Sequence, residues 1–263
     1  MPAEIIAIAN HKGGVGKSFT AISLAAGLAQ AEWRTLLVDC DPQSNSTSMF
    51  DPNDDVELDL YDVIKDRTPV EKVIRSTRLD LLDLLPSTLA VARLDQELVP
   101  MHRREEKLRE ALEAVAERYD TIVLDLSPNL GPLVITALTA ASSLIVPTDA
   151  SRWGRRGVRM FLEWSEELRD ARVLTADLLG VLLTKFESGT RIGREVRADL
   201  RVNTPMFDTV IPKRVGAERM VDDLAVLGDT NADPDLAEAY ARFTVEVMKR
   251  VTDVRANRGK HHG

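Results

Sequence analysis

The residues best suited to chemistry lie near the start of the chain, in the stretch Lys12-Gly-Gly-Val-Gly-Lys-Ser18. Glycines in such a loop let backbone N–H groups turn inward and approach phosphate oxygens closely. Lys17 would reach the terminal phosphates as a point charge, and the Ser18 hydroxyl would ligate Mg²⁺. The sequence therefore predicts a nucleotide-phosphate site. The residues expected to contact the nucleotide there are Gly13, Gly14, Val15, Gly16, Lys17, Ser18 and Phe19.

The elements around this loop have the order that a phosphate-binding loop requires. A short apolar run over 5–9 predicts a buried parallel strand, and the run from Phe19 to Ala31 predicts a helix. The strict pattern G-x-x-x-x-G-K-[ST] is not met, because His11 stands at its first glycine. An additional lysine, Lys12, directly precedes the glycines.

Acidic residues end two other apolar runs. The run over 34–39 ends on Asp39, with Asp41 two residues later, and the run over 119–125 ends on Asp125. The carboxyl ends of buried parallel strands form the crevice in which open α/β sheets bind ligands. We therefore expect these carboxylates near the phosphate loop, with Asp125 accepting from a Mg²⁺-bound water.

Together these motifs resemble the ParA/MinD ATPases, whose deviant phosphate loop carries the extra lysine. The segment Asp39-Cys-Asp-Pro-Gln-Ser-Asn-Ser-Thr47 is similar to the family's DxDPQxNxT. The resemblance implies ATP and Mg²⁺ as cofactors, with Ser18, Asp39 and Asp125 at the metal. It also implies three catalytic residues: Lys17 at the phosphates, Asp41 positioning or activating the attacking water, and Lys12 reaching the partner's phosphates across a nucleotide-sandwich dimer.

Within this family the chain looks like a small ParA-type partition ATPase. The resemblance implies a doubly wound, mostly parallel α/β sheet flanked by helices. It also implies slow ATP hydrolysis stimulated by a ParB-like or cargo-adaptor protein, an ATP-dependent homodimer and nonspecific DNA binding by that dimer. We expect a cytoplasmic protein that joins the nucleoid when ATP is bound. Only about three residues precede the first strand, so the helix-turn-helix extension of larger relatives is not expected.

Four further segments correspond to parts of the family, and two of them depart from its pattern. Val210-Ile-Pro-Lys-Arg214 is similar to a segment that lines the adenine pocket, which makes Pro212 the expected base contact. Ser127 stands where the family has the first proline after Asp125, and 185–187 (Lys-Phe-Glu) stands where many relatives carry Asn or Asp near the base. The fourth segment, 84–98, predicts a helix from Ser87 to Leu98, with a role in packing.

Arginines in the second half of the chain are candidates for DNA contacts. Arg191, Arg194, Arg197 and Arg201 are spaced to share one helix face, and Arg214 and Arg219 would extend it. The alternative is a solvated face that is salt-bridged by Glu195 and Asp199. A second run, Arg152 to Arg159, leaves dimer contact, DNA contact and plain surface open.

The whole-chain properties limit the other classes of function. The 263 residues are 44% hydrophobic and 29% charged, which favours one soluble ATPase domain over 1–254 and a polar, disordered tail over 255–263. The net charge of −8 argues mildly against nucleic acid as a default partner, although binding depends on local patches. The single cysteine, Cys40, fits a reducing compartment and excludes an intrachain disulfide. No basic-then-apolar leader opens the chain, and no apolar run approaches the length of a membrane span.

Three alternatives stay open on the sequence. The first is a MinD-like ATPase that uses its last helix on a membrane surface, although this helix is acidic at its start and continues into a polar tail. The second is a ParA-like ATPase that positions a protein compartment rather than DNA. The third is a metabolic or redox enzyme of the same fold, which the single cysteine and the Asp-Pro-Gln motif disfavour.

Overall fold

The computed structural model describes residues 3–51, 55–214 and 232–260. The strands are β1 (Glu4–Ile8), β2 (Thr35–Cys40), β3 (Arg75–Ser76), β4 (Leu82–Leu85), β5 (Thr121–Leu126), β6 (Ser143–Asp149), β7 (Asp177–Phe186) and β8 (Met206–Pro212). The helices are α1 (Lys17–Gln30), α2 (Asn45–Phe50), α3 (Leu60–Lys65), α4 (Leu94–Glu97), α5 (Lys107–Glu113), α6 (Pro132–Ala140), α7 (Arg152–Asp170), α8 (Arg191–Asn203) and α9 (Pro234–Lys260). Short 3₁₀ turns cover Val70–Lys72, Leu89–Arg93, Arg104–Glu106 and Ala116–Arg118.

The strands form a single sheet in the order β3-β4-β2-β5-β1-β6-β7-β8. Every neighbouring pair is parallel except the edge pair of β3 with β4, which is antiparallel. The predicted doubly wound, mostly parallel α/β fold is confirmed. Because β1 lies between β5 and β6, the phosphate loop emerges at the centre of the carboxyl edge, with the ends of β2, β5 and β6 nearby.

Helices cover the sheet on both faces, which explains the nearly continuous apolar strands. Every residue of β2 and β5 is buried. Helices α1 and α9 pack on one face, and Gly27 of α1 lies so close to Thr244 of α9 that a Cβ atom at position 27 would stand 3.2 Å from the Thr244 Cβ. Helices α3 to α8 cover the other face.

One predicted helix is shorter than the sequence suggested. The expected helix from Ser87 to Leu98 is wrong in its first half, which is a 3₁₀ turn capped by Thr88. Ser87 cannot serve as the cap because its hydroxyl already donates to the Asp41 carbonyl at 2.9 Å.

Helix α9 extends to Lys260, beyond the boundary at residue 254 that the sequence suggested, so 255–260 are helical rather than a disordered tail. The cause is a long-range contact with Glu4, whose side chain is only 3% exposed. Arg255 Nε lies 3.2 Å and Arg258 Nη1 lies 3.1 Å from the Glu4 carboxylate. Ser142 and Ser143 also donate to Glu4, at 2.7 and 2.6 Å. Glu4 thus fastens the last helix to the first strand.

Replacing Glu4 by glutamine is expected to lower the free energy of unfolding by about 2 kcal/mol, because it leaves two partly buried guanidinium groups without a carboxylate. Burial raises the pKa of Glu4, but the hydroxyls of Ser143 and Ser142, the charge of Arg258 and a hydrogen bond from Arg255 outweigh it, so the pKa lies below its usual 4.5. The stabilisation is therefore present above that value and lost as the pH falls through the lowered pKa.

Urea unfolding of wild type and Glu4→Gln between about pH 7 and pH 3 tests this prediction. The difference in stability should shrink as the pH falls. If the difference in the free energy of unfolding stayed constant across the pH series, Glu4 would stabilise the protein through packing rather than through its charge. Glu238→Gln is a matched control, because Glu238 pairs with Arg242 on the exposed side of α9.

Candidate functional site

The loop between β1 and α1 has the open shape that a phosphate ligand needs. Gly14 and Gly16 lie at φ 73° and 81°, in the left-handed region that favours glycine. A Cβ atom at Gly13, Gly14 or Gly16 would meet no heavy atom within 4 Å, so the space beside the loop is free. The loop ends at Lys17, the first residue of α1, where unpaired helical N–H groups favour an anion.

Lys17 is buried beside this loop, with only 6% of its surface exposed. Its Nζ lies 3.4 Å from the backbone oxygen of Lys12. Burial lowers the pKa of Lys17, while the nearby carboxylates of Asp125 and Asp41 act in the opposite direction. The structure therefore brings the predicted phosphate lysine to the predicted acidic residues.

Asp39 and Asp125 stand directly opposite each other at the ends of β2 and β5, and both are fully buried. Burial, followed by the charge of Asp125, raises the pKa of Asp39 to about 8. Burial also raises the pKa of Asp125, to about 6, with Asp41 adding to the effect. The charge of Lys17 lowers the pKa of Asp125, but it does not offset the effect of burial.

The donor set around Asp125 fits magnesium. Its Oδ2 accepts from Ser46 at 2.7 Å, and the nearby Ser18 hydroxyl helps to lower its pKa, whereas Oδ1 is buried without a hydrogen-bond partner in the described structure. Across residues 3–51, 55–214 and 232–260, no group of three His, Cys, Asp or Glu side chains could hold a metal alone. Mg²⁺ does not need one, since it binds through one or two carboxylates together with water and phosphate oxygens.

Asp39 has a different environment from Asp125, because the loop after β2 uses both of its oxygens. Oδ1 accepts from the Asp41 N–H at 3.0 Å, and Oδ2 accepts from the Thr47 N–H and hydroxyl, both at 2.8 Å. Asp41 in turn accepts from the Gln43 N–H at 2.9 Å. Asp39 therefore shapes the loop that presents Asp41, and its predicted place at the metal stays a prediction.

The Lys12 side chain points away from its own phosphate loop. Its Nζ lies 2.6 Å from Asp149 Oδ2 and 3.4 Å from Ser151 Oγ, at the end of β6 and the start of α7. Burial raises the pKa of Asp149, but the hydrogen bonds from Lys12 and Ser151 lower it by a larger amount, so the pKa lies below its usual value. His11, at the position of the missing glycine, stacks on Phe161 of α7 with 6.4 Å between ring centroids.

A cleft of about 820 Å³ runs from the glycine loop to the start of α9. Phe19 and Pro212, both predicted nucleotide contacts, line it together with Tyr240. The rings of Phe19 and Tyr240 are 5.5 Å apart, and the Tyr240 hydroxyl lies 3.1 Å from that of Thr20. Lys185, from the segment that departs from the family pattern, lines the same cleft. This apolar end is suited to a flat heteroaromatic base.

The candidate DNA-binding arginines are on the surface but partly paired. Arg191 Nε lies 2.7 Å from Glu195, and the Arg197 guanidinium lies over the Phe186 ring at 5.5 Å. Arg194 is exposed on the same helix, and Arg214 pairs with Asp235. Ion pairs thus occupy Arg191 and Arg214, and the DNA contacts of this face stay a prediction. Arg219 lies outside the described residues.

Several residues of the site were not predicted from the sequence. Asp149 follows the same signal as Asp39 and Asp125, because it is an acidic residue at the end of an apolar run and the last residue of β6. Tyr240 has only the sequence signal of an apolar residue on a helix, although it lines the cleft. Ser46 belongs to the Asp-Pro-Gln segment, yet only the fold shows that its hydroxyl reaches Asp125.

Comparison with known proteins agrees with this geometry. Residues 3–178 match the AAA_31 family, described as an AAA domain. The chain is 40% identical to the sporulation initiation inhibitor protein Soj of Bacillus subtilis, over 81% of this chain and 85% of that protein. It is 36% identical to the chromosome partitioning protein ParA of Myxococcus xanthus, over 95% and 89% of the two chains.

Among solved structures, cobyrinic acid a,c-diamide synthase from Mycobacterium smegmatis, with bound ADP and magnesium, superposes with a TM-score of 0.82. The two chains are 27% identical, and the match covers 95% of this chain and 96% of the other. The resemblance seen in the sequence motifs is confirmed by these relatives. The chain belongs to the AAA_31 family and, within it, to the ParA-type partition ATPases.

Proposed function

We propose that this protein is a partition ATPase that binds ATP with Mg²⁺, dimerises around two nucleotides and then binds DNA without sequence preference. The observation that carries the proposal is the buried group of Lys17, Asp39 and Asp125 beside an open glycine loop. Its relatives Soj and ParA, named for sporulation control and chromosome partitioning, support the assignment. Hydrolysis of ATP would end the DNA-bound state.

Each residue of the site has a distinct task in this proposal. The loop amides and Lys17 hold the phosphates and offset the charge that develops on them. Asp125 and Ser18 hold the metal ion, which supplies further positive charge at the phosphates when it is bound. Asp41 lies on a loop that Asp39 shapes, and it positions or activates the attacking water. Pro212 contacts the base.

Lys12 is the residue through which two subunits would share each ATP site. In the single chain, Asp149 holds its ammonium group outside the phosphate cradle of its own loop. A lysine that does not serve its own phosphates is available to a partner subunit, if a facing chain offers a stronger anion than Asp149. Lys12 would then act across the dimer interface, and ATP would drive dimerisation because it supplies that anion.

We expect hydrolysis by the protein alone to be slow, and a ParB-like or cargo-adaptor protein to stimulate it. Slow hydrolysis keeps the ATP-bound dimer on DNA, and stimulation at the cargo releases it there. The protein would accordingly associate with the nucleoid in its ATP state. The same cycle serves a plasmid, a chromosome or a protein compartment, because the adaptor determines the cargo.

The structure disfavours a membrane-positioning role for the last helix. Several apolar residues of α9 are buried in the core, among them Leu236, Tyr240, Phe243, Val247 and Val251. Glu4 binds the carboxyl-terminal turns of this helix. An amphipathic membrane helix instead needs a free apolar face. Within the described residues, no helix combines the length and the apolar character needed to cross a bilayer.

The proposal is tested by measuring DNA binding with ADP, with ATP and with a slowly hydrolysed ATP analogue over a series of salt concentrations. Tight binding only with ATP or the analogue is the expected result. Equal binding in all three states would contradict the proposal. Vesicles of anionic lipid serve as the comparison surface, because a membrane-positioning ATPase would bind them with ATP instead of DNA.

Replacing Arg191 and Arg194 together by alanine is expected to weaken this ATP-dependent DNA binding. If each arginine neutralises one phosphate, the slope of log affinity against log salt concentration should become shallower by about 2. A control that removes two exposed charges from α9, Arg242→Ala with Lys249→Ala, should leave the slope unchanged. An unchanged slope in the first variant would place the DNA-binding face elsewhere.

A further inference from the structure

Asp95 on α4 contacts the loop that follows the metal residue Asp125. One carboxylate oxygen accepts from the Asn129 side chain at 2.7 Å, and the other accepts from the backbone N–H of Leu133 at 3.1 Å. Leu133 lies in the first turn of α6, where helical N–H groups otherwise lack partners. A residue 30 positions earlier in the chain than Asp125 therefore holds the loop over 127–131 at its middle and at the start of the helix that follows it.

Gly131 gives independent support for this contact. Its backbone is extended, with φ −77°, so any residue could adopt the conformation. A Cβ atom at this position, however, would stand 2.7 Å from the Asp95 Cγ and 2.8 Å from its Oδ2. Glycine is needed here because the carboxylate lies directly against the backbone.

Residues 87–95 form a segment with Asp95 at one end, and Ser87 at its other end contacts the loop that carries Asp41. Ser87 donates its hydroxyl to the Asp41 carbonyl at 2.9 Å, and its N–H bonds to the Thr47 hydroxyl at 2.9 Å. We refer to residues 87–95 as the connector. The connector thus touches both loops that border the nucleotide cleft, the first through Ser87 and the second through Asp95.

We propose that Asp95 is a positioning residue, which holds the loop over 127–131 in the arrangement that hydrolysis needs, and that the connector links this loop to the one presenting Asp41. This inference rests on the proposed function, since it concerns the same ATP site. Asp95 replaces the stiffness that the family's first proline would give at Ser127. It lies outside the glycine loop, so it affects turnover more than nucleotide affinity.

Hydrogen exchange on the nucleotide-free protein tests the contact without any need for activity. In Asp95→Ala, peptides covering residues 127–134 should exchange faster, while peptides from β5 and α1 keep their wild-type rates. Glu97→Gln is the matched control on the same helix, because Glu97 binds Lys65 and Tyr61 instead. Wild-type exchange over 127–134 in Asp95→Ala would overturn the inference.

Steady-state kinetics test the consequence for the reaction. Asp95→Ala should lower kcat roughly 10-fold, with an unchanged dissociation constant for a fluorescent ATP analogue, because only the positioning of a catalytic loop is lost. Asp95→Asn, which still accepts from the Leu133 N–H, should recover part of kcat. Equal kcat for Asp95→Ala and wild type would contradict the positioning role.

A second substitution separates positioning from general loss of stability. Gly131→Ala should lower kcat by pushing the carboxylate away, but in the Asp95→Ala background it should have no further effect, because the clash is gone. Additive losses would show that the two residues act separately, against the inference. Should wild type itself fail to bind or hydrolyse ATP, the proposed function fails, while hydrogen exchange still decides what Asp95 does.

Discussion

Replacing Lys17 by alanine is expected to raise the dissociation constant for ATP about 100-fold, because charge-assisted bonds to the phosphates are lost. Lys17 is also the buried cation beside Asp125 and Asp41, so its loss leaves these carboxylates to repel the triphosphate. Titration with a fluorescent ATP analogue measures the effect directly. Hydrolysis and ATP-dependent DNA binding should disappear with it.

The stability of the nucleotide-free variant is an informative control. Burial lowers the pKa of Lys17, which means that folding disfavours its charged form. The thermal midpoint of Lys17→Ala should therefore equal or exceed that of wild type. Lys72→Ala, at an exposed lysine, should change neither property. Wild-type ATP affinity in Lys17→Ala would mean that the nucleotide binds elsewhere.

Replacing Asp41 by alanine has the second large expected effect, on hydrolysis alone. A residue that positions or activates the attacking water contributes about 100-fold or more to the rate. ATP affinity should be unchanged or slightly higher, because one negative charge that faces Asp125 is removed. The variant should form a dimer that stays on DNA as long as ATP is present.

Single-turnover hydrolysis and DNA dissociation rates measure these two consequences separately. Asp62→Ala removes a carboxylate that caps a helix away from the cleft and should leave both rates unchanged. Full hydrolytic activity in Asp41→Ala would exclude Asp41 from the reaction. Loss of ATP binding would instead indicate that this loop holds the nucleotide.

The parts of the site that local sequence determines could be predicted. The glycine loop, Asp39 and Asp125 each follow an apolar run that must become a buried parallel strand, so the sheet brings them to one edge. The family resemblance supplied the tasks of Lys12 and Asp41. These predictions needed only the order of elements and the types of residues.

Contacts between distant segments could not be predicted in the same way. The bonds of Asp95 to Asn129 and of Arg258 to Glu4 join residues whose proximity depends on how several helices pack. The connector illustrates the difficulty, since its sequence favours a plain packing helix, whereas its polar side chains are used by two neighbouring loops. The packing of the helices brings these residues together, and the hydrophobic periodicity of the sequence carries no information about that packing.

The central claim, a site completed by the lysine of a second subunit, is tested most directly by mixing two inactive variants. Lys12→Ala and Asp41→Ala should each hydrolyse ATP poorly alone. In a mixed dimer, the subunit with Lys12→Ala keeps its own Asp41 and receives Lys12 from its partner, so one of the two sites is complete.

The measurement is ATP hydrolysis by an equal mixture of the two proteins. With random pairing, half of the dimers are mixed and each holds one complete site, so activity should recover to about a quarter of the wild-type rate. If Lys12 served only the nucleotide of its own chain, every site in the mixture would lack either Lys12 or Asp41. A mixture no more active than the two variants measured separately would therefore contradict a shared site.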